Sequence, residues 1–138
     1  MASSNDILLA FDVGEKRIGV AKADAAVKLA YPLGWVEVDD RVFDVLRQQI
    51  ADESPVAVVV GYPRNQSGEP TAQTAAVESF VQQLALVSPP VVFQDESVTS
   101  LIAEERLQKR TKRYQKGDID AEAAAIILQD YLEQTYGH

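Results

Sequence analysis

The chain reads as an α/β protein, a mixed β-sheet flanked by helices, and three stretches predict it. Ile7-Leu8-Leu9-Ala10-Phe11 is an apolar run that meets Asp12, turns at Gly14 and returns as Ile18-Gly19-Val20-Ala21, an antiparallel hairpin. Val56-Ala57-Val58-Val59-Val60 is a continuous β-branched run, the pattern of an interior parallel strand. Between and after these lie segments with apolar residues at helical spacing. At 138 residues the chain is expected to form a single domain, 1–138, large enough to bury a real core. Its 46% hydrophobic and 25% charged residues are ordinary globular values.

The hairpin opens the chain. With a strand period of two, Leu8, Ala10 and Asp12 share one face and Ile7, Leu9 and Phe11 the other. A carboxylate leaving a buried strand is costly unless something pairs with it. Asp12 therefore reads as a turn-capping residue, a salt-bridge partner of Lys16 or Arg17, or a metal ligand. Lys28 to Val38 predicts a third strand, and Pro32, which has no N–H to donate, places it at a sheet edge. Trp35 is expected to pack there. Asp39 and Asp40 are N-cap candidates for a helix whose face is Val42, Val45, Leu46, Gln49 and Ile50, ending near Ser54-Pro55.

The β-branched strand runs into Gly61-Tyr62-Pro63-Arg64-Asn65-Gln66-Ser67-Gly68, a turn-rich loop at a carboxyl end, where open α/β sheets bind ligands. Asn65 and Arg64 are candidates for phosphate or sugar contacts there. A helix follows over Thr71 to Leu86, with Ala72, Ala76, Phe80 and Leu84 at four-residue steps and Val77 and Val81 beside them. Val91-Val92-Phe93 is the fifth strand and delivers Asp95 and Glu96, adjacent acids that point to opposite sides. Thr99 or Ser100 caps a helix to about Lys109. The last helix holds Asp118 to Leu132, where Asp120 shares a stripe with Ala123, Ala124, Ile127 and Tyr131. Asp118 reads as a cap, and Glu122 points away from that stripe.

Composition excludes several chemistries. With no cysteine there is neither a disulfide nor a thiolate metal site, and the one histidine is His138, the last residue. The polar start and the short apolar run after it predict no signal peptide and no membrane span, hence a cytoplasmic protein. Net charge is −8, but Lys109, Arg110, Lys112, Arg113 and Lys116 form a run without acids, leaving −13 for the rest. One basic segment on an acidic body is a local footprint for nucleic acid or a solvated loop.

Four motifs, in order, resemble the YqgF/RuvX family of the ribonuclease H-like superfamily. Asp12-Val13-Gly14-Glu15-Lys16-Arg17-Ile18-Gly19-Val20-Ala21 is similar to its Asp-x-Gly-x-x-Arg-Ile-Gly-Val-Ala opening. Val60, Gly61, Pro63, Asn65 and Gly68 match the second motif; Asp95-Glu96 with Thr99, Ser100 and Ala103 match the third. Lys116, Gly117, Ile119, Asp120, Ala123 and Ala124 match the terminal one. Ser97 stands where the family pattern has arginine, which removes a positive charge beside the site. Sugar kinases and actin-like ATPases share the Asp-x-Gly hairpin, but they need two such domains.

The resemblance implies a three-layer ribonuclease H-like fold with a five-stranded sheet in the order 3-2-1-4-5. It implies Asp12, Glu96 and Asp120 as catalytic metal ligands. Oxygen-only ligands suit Mg²⁺ or Mn²⁺, and one or two such ions can activate water and stabilise a leaving oxygen without a side-chain base. Lys16, Arg17, Arg64, Asn65, Lys109, Arg110, Lys112 and Arg113 are the candidate substrate contacts. The implied activity is a nuclease acting on RNA in maturation of the 5′ end of pre-16S rRNA; the alternatives are resolution of Holliday junctions in DNA and a non-catalytic RNA-binding module. A monomer or homodimer is expected.

Overall fold

A computed structural model describes residues 6–63, 72–86, 89–96, 99–110 and 114–136. Five strands, β1 (Ile7–Val13), β2 (Arg17–Asp24), β3 (Leu29–Glu37), β4 (Ala57–Pro63) and β5 (Val91–Glu96), form one sheet in the order β3-β2-β1-β4-β5. The first three are antiparallel neighbours, and β4 runs parallel to both β1 and β5. That is the expected topology.

The apolar pattern of β1 divides the core as its period requires. Leu9 and Phe11 pack with Ile18, Val20, Val58 and Val60 under α1 (Val42–Glu53) and α2 (Ala72–Leu84). Leu8 and Ala10 pack on the opposite face with Ala21, Ala23 and Val59 under α4 (Lys116–Tyr136). Small residues on that second face let α4 lie close to the sheet. Outside α4 lies α3 (Thr99–Arg110), whose Ala103 meets Ala123 and Ile126.

Three local expectations change. The N-cap of α1 is Arg41, not either aspartate; Asp39 instead accepts the Arg41 N–H in a tight turn one step earlier. On α1 only Val42, Leu46 and Ile50 are buried, and Val45 faces solvent. On α2 the buried stripe is Thr74, Val77, Phe80 and Leu84, while Ala72 and Ala76 are exposed. Alanine at four-residue steps carried too little apolar surface to fix the helix's rotation against the larger Val77 and Phe80. The edge position of β3 is as Pro32 required, and a bulge opposite Val20/Ala21 accommodates it. No helix among the described residues is long and apolar enough to cross a membrane.

Candidate active site

Asp12, Gly19 and Trp35 stand directly opposite one another across β1, β2 and β3. Directly opposed residues share a face, and this row lies on the side covered by α4. The first turn of α4 rests on it at two points. A Cβ on Gly19 would lie 1.9 Å from the carbonyl oxygen of Asp120, and one on Gly117 would lie 2.2 Å from the Trp35 indole. The helix backbone thus occupies space that any side chain at Gly19 would fill. This close approach sets Asp120 beside the strand position that opposes Asp12. Both acids are half-buried.

Arg17 completes the cluster. Its Nε donates to Asp120 Oδ2 at 2.8 Å, with both side chains about three-quarters buried. Of the sequence alternatives, Arg17 is therefore a salt-bridge partner, but of an aspartate 103 residues away. The turn that delivers Arg17 closes through the Gly14 N–H to the Arg17 carbonyl, 3.0 Å. Lys16 beside it is exposed.

Position 96 ends β5, in register with Pro63. By strand alternation it falls on the same face as Val92, which packs toward α4; the Glu96 side chain lies outside the described residues. With β4 between β1 and β5, Asp12 and Glu96 are on non-neighbouring strands. Asp95 faces the other way, into a groove beside α2. Arg64, Asn65, Lys112, Arg113 and Ser97 also lie outside the described residues. Among the described residues no group of three acidic or histidine side chains is assembled as a metal site.

Two readings of the terminal helix stand. Asp118 does cap, its Oδ2 accepting the Gln115 N–H at 2.8 Å. Glu122 points away from the sheet-facing stripe, but into α3 rather than into solvent. It is 3% exposed and meets Arg106 at 3.8 Å and Arg110 more closely still, both from α3. The reason is that α3 covers the side of α4 that the sheet does not, so α4 is buried from Ala121 to Leu128. Arg110, a candidate substrate contact, is thus held by a carboxylate, whereas Lys109 beside it is exposed. Tyr114 at the other end of the basic segment donates to Glu104, 3.3 Å, and Tyr62 donates to Glu78 and packs edge-on against Phe93.

Gly19, Gly117 and Glu122 are the site residues that sequence reading missed as such. The signal for Glu122 was present: Ala121 to Leu128 is apolar around the whole helix apart from that one acid.

Comparison with known proteins follows the same lines. A family model described as "RuvX: Holliday junction resolvase" matches residues 6–134. A protein of Chloroflexus aggregans named "Putative pre-16S rRNA nuclease" is 40% identical over 131 residues, covering 91% of this chain and 92% of its own. One of the same name from Salinibacter ruber is 39% identical over 140 residues, covering 96% of each. Among solved structures, Thermus thermophilus RuvC in complex with a Holliday junction substrate superposes with a TM-score of 0.59 at 17% identity, covering 95% of this chain and 96% of that one. The fowlpox virus Holliday junction resolvase gives 0.56 at 14%, covering 93% and 99%. At such identities these two establish the fold.

Proposed function

This chain belongs to the RuvX family, and on that premise we propose that it is a metal-dependent nuclease that cleaves single-stranded RNA in maturation of the pre-16S rRNA 5′ end. The observation that carries the reading is the seating of the α4 backbone on Gly19, which brings Asp120 to the row that contains Asp12. Two carboxylates gathered at one partly buried place repel unless cations intervene. Arg17 supplies one positive charge at Asp120. The remaining demand fits a divalent ion held by Asp12, Asp120 and Glu96, all oxygen donors of the class that Mg²⁺ and Mn²⁺ prefer. Such an ion, when bound, polarises the phosphodiester and lowers the pKa of the attacking water.

The chain's own groups divide the remaining work. Arg17 orients the Asp120 carboxylate and offers its outer guanidinium nitrogens to a substrate phosphate. Lys16 and Lys109, both exposed, supply further positive charge for the backbone. Among the described residues there is no histidine to act as a base; the chain's one histidine is His138.

RNA is favoured over a four-way junction on electrostatic grounds. A junction presents four duplex arms, whereas the acid-free basic run of this chain is one short segment on a body of net charge −13, with Arg110 engaged by Glu122. A single strand needs only a narrow track. The second reading, junction resolution, is favoured by the description of the matching family model. A cytoplasmic location fits both.

The deciding assay incubates the purified protein, with Mg²⁺ or Mn²⁺, with matched single-stranded RNA, duplex DNA and a four-way junction. RNA cleavage that chelation stops is the expected result. Paired symmetric nicks in the junction with RNA intact would establish the second reading, and affinity without turnover on any substrate would identify a binding module.

A further inference from the structure

The two edges of the sheet are built differently. On the β3 edge, Pro32 withholds an N–H and a bulge breaks the register, two devices that keep other strands away. The β5 edge has neither. Val91 to Glu96 contains no proline, lysine or arginine, and its pairing with β4 is unbroken from Val58↔Val91 to Pro63↔Glu96. Its outer row of backbone donors and acceptors has no strand partner among the described residues.

Along this open edge runs a groove of about 770 Å³, between α2 and the C-terminal half of α4. Phe93, 45% exposed, forms its floor together with Tyr62. Glu78, Asp95 and Asp130 line it, and among the described residues no basic side chain does. Gln94 also lines it and is 8% exposed. Burial, with Glu133 nearby, raises the Asp130 carboxyl above the usual range, and Arg106 only partly offsets this.

We propose that the β5 edge is a docking site for an extended, arginine- or lysine-rich peptide segment of a protein partner, added as a sixth strand. Backbone pairing to an open edge gives such a segment its affinity, and side-chain pockets give it specificity. Cationic side chains on one face of the added strand would lie over the Phe93 ring and meet Glu78 and Asp95, and one on its other face would meet Asp130. The Gln94 amide supplies a donor and an acceptor to the incoming chain. A nucleic-acid strand is disfavoured because the three carboxylates repel its phosphates. A second copy of this chain is disfavoured because a symmetric pairing of β5 with β5 would place the same carboxylates against each other. This site adjoins the proposed nuclease centre only at Glu96, where β5 ends, and concerns a different class of ligand.

The test uses the whole chain and a labelled short peptide of arginine pairs separated by valines, which presents arginine on both strand faces, with two control peptides carrying glutamate or proline in place of arginine. Fluorescence anisotropy should show binding of the arginine peptide and at least about tenfold weaker binding of both controls. The double variant Phe93→Ala/Asp130→Asn should lose about tenfold in affinity for the arginine peptide while cleaving RNA as the parent does. Hydrogen exchange should show new protection of the 91–96 amides on binding, which a merely electrostatic surface association would not produce. The proposal is overturned by absence of arginine-peptide binding, by undiminished binding to the variant, or by protection that appears elsewhere. It is equally overturned if sedimentation shows a dimer that buries β5, or if single-stranded RNA protects these same amides.

Discussion

The sharpest perturbation of the candidate active site is a single methyl group, Gly19→Ala. The added Cβ would sit 1.9 Å from the Asp120 carbonyl oxygen, 2.2 Å from its carbon and 2.7 Å from the Ala121 nitrogen. All three are backbone atoms in the first turns of a 21-residue helix, so no rotamer change relieves the overlap. Restoring ordinary contact at about 3.4 Å requires that end of α4 to move by roughly 1.5 Å away from β2. Overpacking of this kind costs about 1–3 kcal/mol of stability. The functional cost is larger, because a displacement of about 1 Å at a reacting centre lowers rate on the order of a hundredfold. Leu46→Ala is the control, since Leu46 is fully buried on the α1 face and belongs to the core on the other side of the sheet. It should cost about 2–5 kcal/mol by leaving a cavity, yet leave the α4 contact intact. Measured well below both melting temperatures, Gly19→Ala should have lost most of its cleavage rate and Leu46→Ala little. Comparable activity in the two variants would refute the claim that the Gly19 contact sets the site.

Asp12→Asn and Asp120→Asn should each abolish metal-dependent cleavage with little change in melting temperature, because each removes charge but little volume; full activity in either would remove that residue from the metal set. Arg17→Ala should lower the Mn²⁺ concentration needed for thermal stabilisation, since Asp120 loses a competing cation, while cleavage falls; a titration midpoint that stays put and an unchanged rate would contradict both roles. Glu122→Gln should destabilise by about 1–2 kcal/mol, less than an ordinary buried pair, because Arg106 and Arg110 are half-exposed and regain water; chemical denaturation reads this directly. Neutralising Lys109, Lys112 and Arg113 together should reduce the log–log salt slope of single-stranded RNA binding by up to about two units, with an unaltered slope returning the segment to a solvated loop. Asp130→Asn should stabilise slightly, by less than about 1 kcal/mol at neutral pH. The folded-state pKa of Asp130 is raised, so the charged form opposes folding above it; the gain should shrink as pH falls through the carboxylate range, and melting curves across pH would check it.

The sheet was legible because its signals are local. A β-branched run, a glycine turn and one proline decide strand type, pairing and edge without reference to anything distant. Helix rotation was less legible where alanines defined the face, as on α2, since small residues are buried or exposed at nearly equal cost. The site was half legible. Asp12 announces itself as an acid leaving a buried strand, and Asp120 as an acid on an apolar stripe. Their relation depends on Gly19, whose meaning is the absence of an atom at a position 101 residues from Asp120. The pairing of Arg17 with Asp120 carries no local signal either. Glu122 was read as lying off the sheet-facing stripe, as it does, but its burial was not foreseen, although Ala123-Ala124-Ala125-Ile126-Ile127-Leu128 is apolar on every side and demands a second cover. That cover is α3.

Burying Glu122 between α3 and α4 also bears on the charge problem with which the composition confronts any nucleic-acid enzyme. An arginine-bearing helix end next to an acidic helix would ordinarily be free to move with its solvent shell. Here two arginines of α3 converge on one buried carboxylate, which anchors the helix to α4 by charge as well as by the Ala103 contact. Arg110, at the start of the basic segment, is thereby tethered to the same helix that carries Asp120. Arg110 gives up its charge for phosphate contact, and in return the start of the neighbouring lysine and arginine run is held in fixed relation to the candidate site. The acidic excess is placed elsewhere, part of it along the β5 edge, where it repels phosphate and attracts cations. A chain of net charge −8 can then present opposite potentials at two places, and the sum over the whole sequence predicts neither.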